Sequence, residues 1–160
     1  MVTASSVALC ATWIWFVITA LMLSRIDFRE HRLPNSLVAI SYLGGILGFL
    51  LVAYVQTDLW LLATSIAGSL LASLAYLAIH LLGGMGMGDV KYAAVAGLYL
   101  GSLGWSYIYI GSLISFACAA LWVLPIMFSR RESRNVPFGP FMAMGVLVSG
   151  VIAVGVSAAA

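Results

Sequence analysis

The chain has 160 residues, of which 64% are hydrophobic and only 8% charged, and its net charge is +2. A soluble domain holds about 45–50% apolar and about 25% charged residues, and seven basic and five acidic side chains cannot cover the surface of so apolar a soluble fold. Composition therefore excludes an ordinary water-soluble domain and predicts one compact all-α membrane domain over residues 1–160.

Cutting the chain at its polar breaks predicts six transmembrane helices, at 6–24, 37–55, 59–82, 89–104, 106–128 and 140–158. Most hold close to the roughly 20 apolar residues needed to cross a hydrocarbon core. No Lys or Arg precedes the first span and no small-residue cleavage pattern ends it, so it reads as a retained helix and not a secretory signal. The second carries Gly44 and Gly48 and the fourth Gly97 and Gly101, a spacing that lets helix backbones approach. From Val90 to Gly104 the fourth span is short, with a rise of about 22 Å. It is expected to need local thinning of the bilayer or a boundary beyond Trp105.

The basic residues fall in alternate connections. Arg25, Arg29 and Arg32 follow the first span, Lys91 follows the connection after the third, and Arg130, Arg131 and Arg134 follow the fifth. The opposite connections hold only Asp58. Because Lys and Arg accumulate on the cytoplasmic side, both termini are expected on the non-cytoplasmic side.

Of the acidic residues, Glu30, Asp58 and Glu132 sit in connections, whereas Asp27 and Asp89 stand at the cytoplasmic ends of the first and fourth spans. An ionisable group at membrane depth is a functional candidate. Two neighbouring carboxyls cannot both ionise cheaply, so one keeps a proton while the other acts as a base, which suits a pair to activating water against an amide. Taken singly, each has a plainer role. Asp89 suits the N-cap of the fourth helix, and Asp27 suits a solvated pairing with Arg25, Arg29 or His31.

The connection Gly83-Gly84-Met85-Gly86-Met87-Gly88 is either a loose connector or a backbone against which an extended peptide can lie beside Asp89. Its glycines lack the Gly-Lys-Ser/Thr of a phosphate-binding loop, and no strand precedes a Gly-x-Gly-x-x-Gly, so neither a nucleotide cofactor nor a nucleic-acid partner is expected. His31 and His80 have no ligand spacing, and Cys10 and Cys118 lie inside apolar runs, so no metal site is expected either.

Gly86-Met87-Gly88-Asp89-Val90-Lys91, preceded by Gly84-Met85, resembles the signature of the GxGD intramembrane aspartyl proteases, specifically the bacterial prepilin peptidases. Asp27-Phe28-Arg29-Glu30-His31-Arg32-Leu33-Pro34-Asn35 is similar to that family's first aspartate motif, and Pro137-Phe138-Gly139-Pro140 to an element near its last helix. The resemblance implies a leader peptidase of the inner membrane with Asp27 and Asp89 as its catalytic pair and no cofactor. Gly86, Gly88, Lys91, Pro34, Asn35, Pro137 and Gly139 would shape the site or the substrate's approach. It implies prepilin or pseudopilin precursors as substrates, cut at the cytoplasmic face between a basic leader and a hydrophobic helix. Membrane lipid and a pilus or secretion assembly would be further partners.

Larger members of that family carry a cysteine-rich cytoplasmic insertion linked to N-methylation. This sequence holds no such insertion, so it looks more like the compact peptidases of the tight-adherence (Flp) systems or the archaeal preflagellin peptidases, and methyl transfer is not expected of it. Two other readings of the same carboxylates are a small proton-coupled carrier and a non-catalytic scaffold of a secretion system.

Overall fold

A computed structural model describes residues 3–128 and 137–159, and these form six α-helices and no strand. In chain order they are α1 (Ala4–Glu30), α2 (Asn35–Gln56), α3 (Trp60–Leu81), α4 (Met87–Leu103), α5 (Trp105–Phe128) and α6 (Gly139–Ala159). The predicted Arg130, Arg131, Glu132 and Arg134 lie outside the described residues.

Five helices, all but α4, are long and apolar enough to cross a membrane. Their outer faces carry exposed leucines such as Leu21, Leu47, Leu74, Leu113 and Leu121, whereas the centre of the bundle holds Phe16, Phe49, Tyr92 and Tyr99. Such a surface is suited to lipid and not to water.

The first helix departs from the sequence reading. It continues to Glu30, six residues beyond the predicted end, because Arg25, Arg29 and Glu30 are good helix formers and only lipid solubility stops at Ser24. His31 ends it in the left-handed conformation, with its N–H donating to Asp27 O. Asp27 therefore belongs to the last turn of a helix and not to the loop after it.

The glycine pattern in the spans has a direct structural counterpart. A Cβ placed at Gly44 would run into the Trp15 side chain, and one at Gly48 would meet Thr12, so both glycines let α2 approach α1. Gly97 and Gly101 let α4 press on α3. A Cβ at Gly68 would lie 2.6 Å from Gly97 O, and one at Gly97 would meet Gly68 O and lie 2.6 Å from Ala72 Cβ. Without lipid-phase hydrophobic driving force between helices, this backbone approach is a main source of cohesion.

The 17-residue α4 is the axial helix, packed against α2, α3, α5 and α6. Residues from Tyr92 to Gly101 are almost all buried. Its neighbours enclose it along most of its length. Several polar groups within the bundle are paired across helices. Thr19 Oγ1 and Ser41 Oγ are 2.8 Å apart, Tyr42 OH and Ser69 Oγ are 3.1 Å apart, and Tyr99 OH donates to Thr12 O at 3.2 Å.

Gly97→Val should weaken the α3–α4 contact by about 1–3 kcal/mol through overpacking, lowering the unfolding midpoint in detergent. Gly155→Val, where a Cβ meets nothing within 4 Å, should leave that midpoint in place. Equal midpoints for the two variants would refute the close-packing account.

Candidate active site

One end of the bundle gathers the C-termini of α1 and α3 and the N-termini of α2, α4 and α6. Between them lies a cavity of about 710 Å³ whose lining includes Asp27, Asp89, Leu33, Asn35, Lys91 and Phe138. The two aspartates, 62 positions apart in sequence, thus face one space.

Asp27 is only 4% exposed. Its Oδ2 accepts the Gly139 N–H at 2.9 Å, so the first turn of α6 supplies the donor that the buried carboxylate needs. Burying that carboxylate without a donor would be costly. Pro140, next in the turn, has no N–H to satisfy, and Pro137 and Phe138 are buried beside it. A Cβ at Gly139 would stand 2.9 Å from Asp27 Oδ2 and 3.2 Å from Leu33 Cδ2, so only glycine lets α6 come this close.

Asp89 is half-buried and does not occupy the N-cap position that the plainer sequence reading assigns it. The N-cap of α4 is Gly86, which has no side chain to cap with, and Asp89 lies three residues on. Its carboxylate turns back toward the Gly86 N–H, and a Cβ at Gly86 would stand 3.4 Å from Asp89 Oδ2. This is the returning half of a capping box, placed at the positive end of the helix dipole.

The glycine-rich connection is an ordered structure. Gly83 has φ +79°, its N–H donates to His80 O at 2.8 Å, and Gly84 N–H donates to Ile79 O at 3.1 Å, which together close α3 as a Schellman motif. His80 Nδ1 then pairs with Met85 O at 2.7 Å. His80, which has no ligand spacing in the sequence, has a structural part here, because its ring ties the loop to α3. Its position one turn before a glycine-rich helix end is the only signal the sequence offers for this.

The other predicted residues group around the same cavity. Lys91 extends from the exposed side of α4 and donates to Asn35 Oδ1 at 2.9 Å, bridging α4 to the first turn of α2, whose N-cap is Pro34. Leu33, which the sequence reading does not single out, is buried at 8% exposure. It stands between the Cβ positions of Gly88, 3.4 Å away, and Gly139. Arg32 pairs with Glu30 in the open and belongs to the rim.

The type IV leader peptidase family matches this chain over residues 14–124. Among curated proteins, the prepilin leader peptidase/N-methyltransferases of Aeromonas salmonicida and Aeromonas hydrophila are each 32% identical over 142 residues, covering 86% of this chain and 46% of theirs. The chain therefore spans about half the length of the curated relatives it matches. No solved structure matches it.

His80→Ala should release the Met85 carbonyl and raise amide hydrogen exchange across residues 82–88 roughly fivefold, the equivalent of about 1 kcal/mol for one lost hydrogen bond. Exchange in the middle of α3 should not change. An unaltered loop would show that the imidazole does not hold it.

Proposed function

This chain belongs to the type IV leader peptidase family, and we propose that it is an aspartic endopeptidase that removes the leader from type IV pilin-like precursors, with Asp27 and Asp89 as the catalytic pair. The observation that carries this reading is the shared cavity. Two carboxyls from distant parts of the sequence line it together, one of them buried and anchored by a backbone N–H.

The anchoring fits the chemistry. With Oδ2 of Asp27 held by Gly139, Oδ1 is the oxygen free to take a proton from a water lying between the carboxyls. In a pair that shares one proton, the ionised member receives the water proton as hydroxide attacks the scissile carbonyl carbon. The protonated member donates to the carbonyl oxygen. Collapse of the tetrahedral intermediate breaks the C–N bond, the proton first taken from water passes to the leaving amine, and a hydroxyl of the gem-diol returns its proton to the carboxyl that donated one. The water is consumed, and both carboxyls return to their starting state.

We place the cavity at the cytoplasmic face of the inner membrane, with α4 as the sixth crossing and both termini on the opposite side. The supporting observation is that Arg25, Arg29, Arg32 and Lys91 all belong to the end of the bundle that holds the aspartates, whereas Asp58 is at the other. A substrate whose polar leader meets an apolar helix then has its junction at the carboxyls. Gly86 and Gly88 line the cavity beside Asp89, leaving backbone open to an extended segment, and Lys91, Asn35, Pro34 and Pro137 set the frame of the α2, α4 and α6 starts. Only the peptidase step is assigned to this chain.

Co-expression with a pilin precursor and mass measurement of the pilin amino terminus tests the reading. Asp27→Asn and Asp89→Asn should each lower cleavage roughly a thousandfold or more with membrane insertion intact, and the double variant should be no worse than either, because the pair acts as a unit. Cleavage retained by either single variant would favour the carrier or the scaffold. Gly139→Ala should cost on the order of a hundredfold by displacing Asp27, against no loss for Gly155→Ala; equal activity of these two would remove the α6 anchor from the mechanism.

A further inference from the structure

Tyr92 is fully buried, and its hydroxyl has no hydrogen-bond partner among the described residues. An unpaired buried hydroxyl is costly enough that one in a folded protein calls for a reason. Tyr99, on the same helix, supplies the contrast. Its ring packs edge-on to Trp13 at 5.4 Å and tilted on Phe16 at 4.5 Å, and its hydroxyl donates to Thr12 O. Tyr99 therefore fixes which face of α4 looks at α1.

Seven residues are two helical turns, so Tyr92 lies on that same face, displaced by about 10 Å toward the aspartates. The chain runs in opposite directions in α1 and α4. Stepping back two turns from Tyr99 therefore corresponds to stepping forward two turns from Phe16 on α1, which arrives at Leu23, one turn short of Asp27. On its own helix Tyr92 follows Asp89 by three residues, the spacing of side chains stacked on one face.

We infer that Tyr92 is the positioning residue of the aspartate pair, a buried donor whose hydroxyl bonds to the Asp27 carboxylate in the working site. Gly139 already occupies Oδ2, so the phenol serves Oδ1, the oxygen that Gly139 leaves free. A donor there stabilises the singly ionised pair over the fully protonated one and orients the carboxyl. No proton leaves the phenol.

Other titratable groups near this position are accounted for. Asp89 and Tyr99 share α4 with Tyr92, and the Tyr76 ring of α3 packs against Phe116 of α5 and Phe138. His80 of α3 is turned to Met85 O, and Tyr42 of α2 to Ser69. Tyr107 and Tyr109 begin α5 at the far end, Cys118 lines a separate apolar groove, and α6 brings no titratable side chain. Arg25, Arg29 and His31 of α1 are exposed.

The inference rests on the aspartyl-peptidase reading, and two readouts of Tyr92→Phe separate the two. The first is the pH profile of pilin cleavage. Loss of a donor to the ionised pair raises the pH at which the pair gives up its first proton, so the acidic limb should move upward by roughly one pH unit, with kcat falling and KM little changed. The second needs no substrate. Infrared titration of the protonated carboxyl band, assigned with Asp27→Asn and Asp89→Asn, should show the same upward move. An infrared midpoint that Tyr92→Phe leaves in place, in a variant that unfolds at the unmodified protein's temperature, overturns the role of Tyr92 whatever cleavage does. A moved infrared midpoint in a protein that cleaves no precursor keeps Tyr92 and discards the peptidase reading.

Discussion

The hydrogen bond from Gly139 N–H to Asp27 Oδ2 joins the last turn of α1 to the first turn of α6 across 112 positions of sequence, and the rest of the site is arranged around it. A carboxylate at 4% exposure must have donors or lose its charge. The helix start provides one from backbone, at no side-chain entropy cost and with a favourable dipole. The absence of a Cβ at residue 139 is what makes the approach possible, and the buried Pro137–Phe138 lead-in fixes the angle. Asp89 receives the same treatment from α4, where Gly86 takes the N-cap and exposes its N–H to the carboxylate. Both acids are thus held by helix starts whose capping residues are glycines or their neighbours.

Much of this is legible in the sequence because lipid imposes a coarse code. Hydropathy marks the spans, and alternate placement of Arg25, Arg29, Arg32 and Lys91 puts both aspartates at one end. The small-residue spacings Gly44/Gly48 and Gly97/Gly101 point to close helix approach, which side-chain contacts with α1 at the first pair and backbone contacts with α3 at the second bear out. The end of α1 is not legible, because hydropathy reports solubility in lipid and says nothing of where hydrogen bonding stops. The burial of Asp27 depends on α6 and leaves no local trace. Asp89 reads as an N-cap because Asp favours that position, yet the three-residue offset to Gly86 makes it the returning partner of the cap.

His80, Leu33 and Tyr92 are missed for a common reason. Each is a residue type that is ordinary in a membrane helix or its connection, and each acquires its role from a neighbour in another part of the fold or from the face it shares. His80 needs the turn of Gly83 to meet Met85 O. Tyr92 differs from Tyr99 only in lacking a partner, a distinction that belongs to α1 and not to the α4 sequence.

Leu33 carries a mechanical consequence. It is wedged between the start of α4, at Gly88, and the start of α6, at Gly139, and these two helix starts hold the two carboxyls. The gap across the proposed catalytic centre is therefore gauged by the thickness of one aliphatic side chain. Electrostatic repulsion between the acids is opposed on one side by glycine contacts that draw the helices inward and limited on the other by a spacer that cannot be compressed. The spacing of the two helix starts is thus calibrated by an uncharged residue that bonds to neither acid.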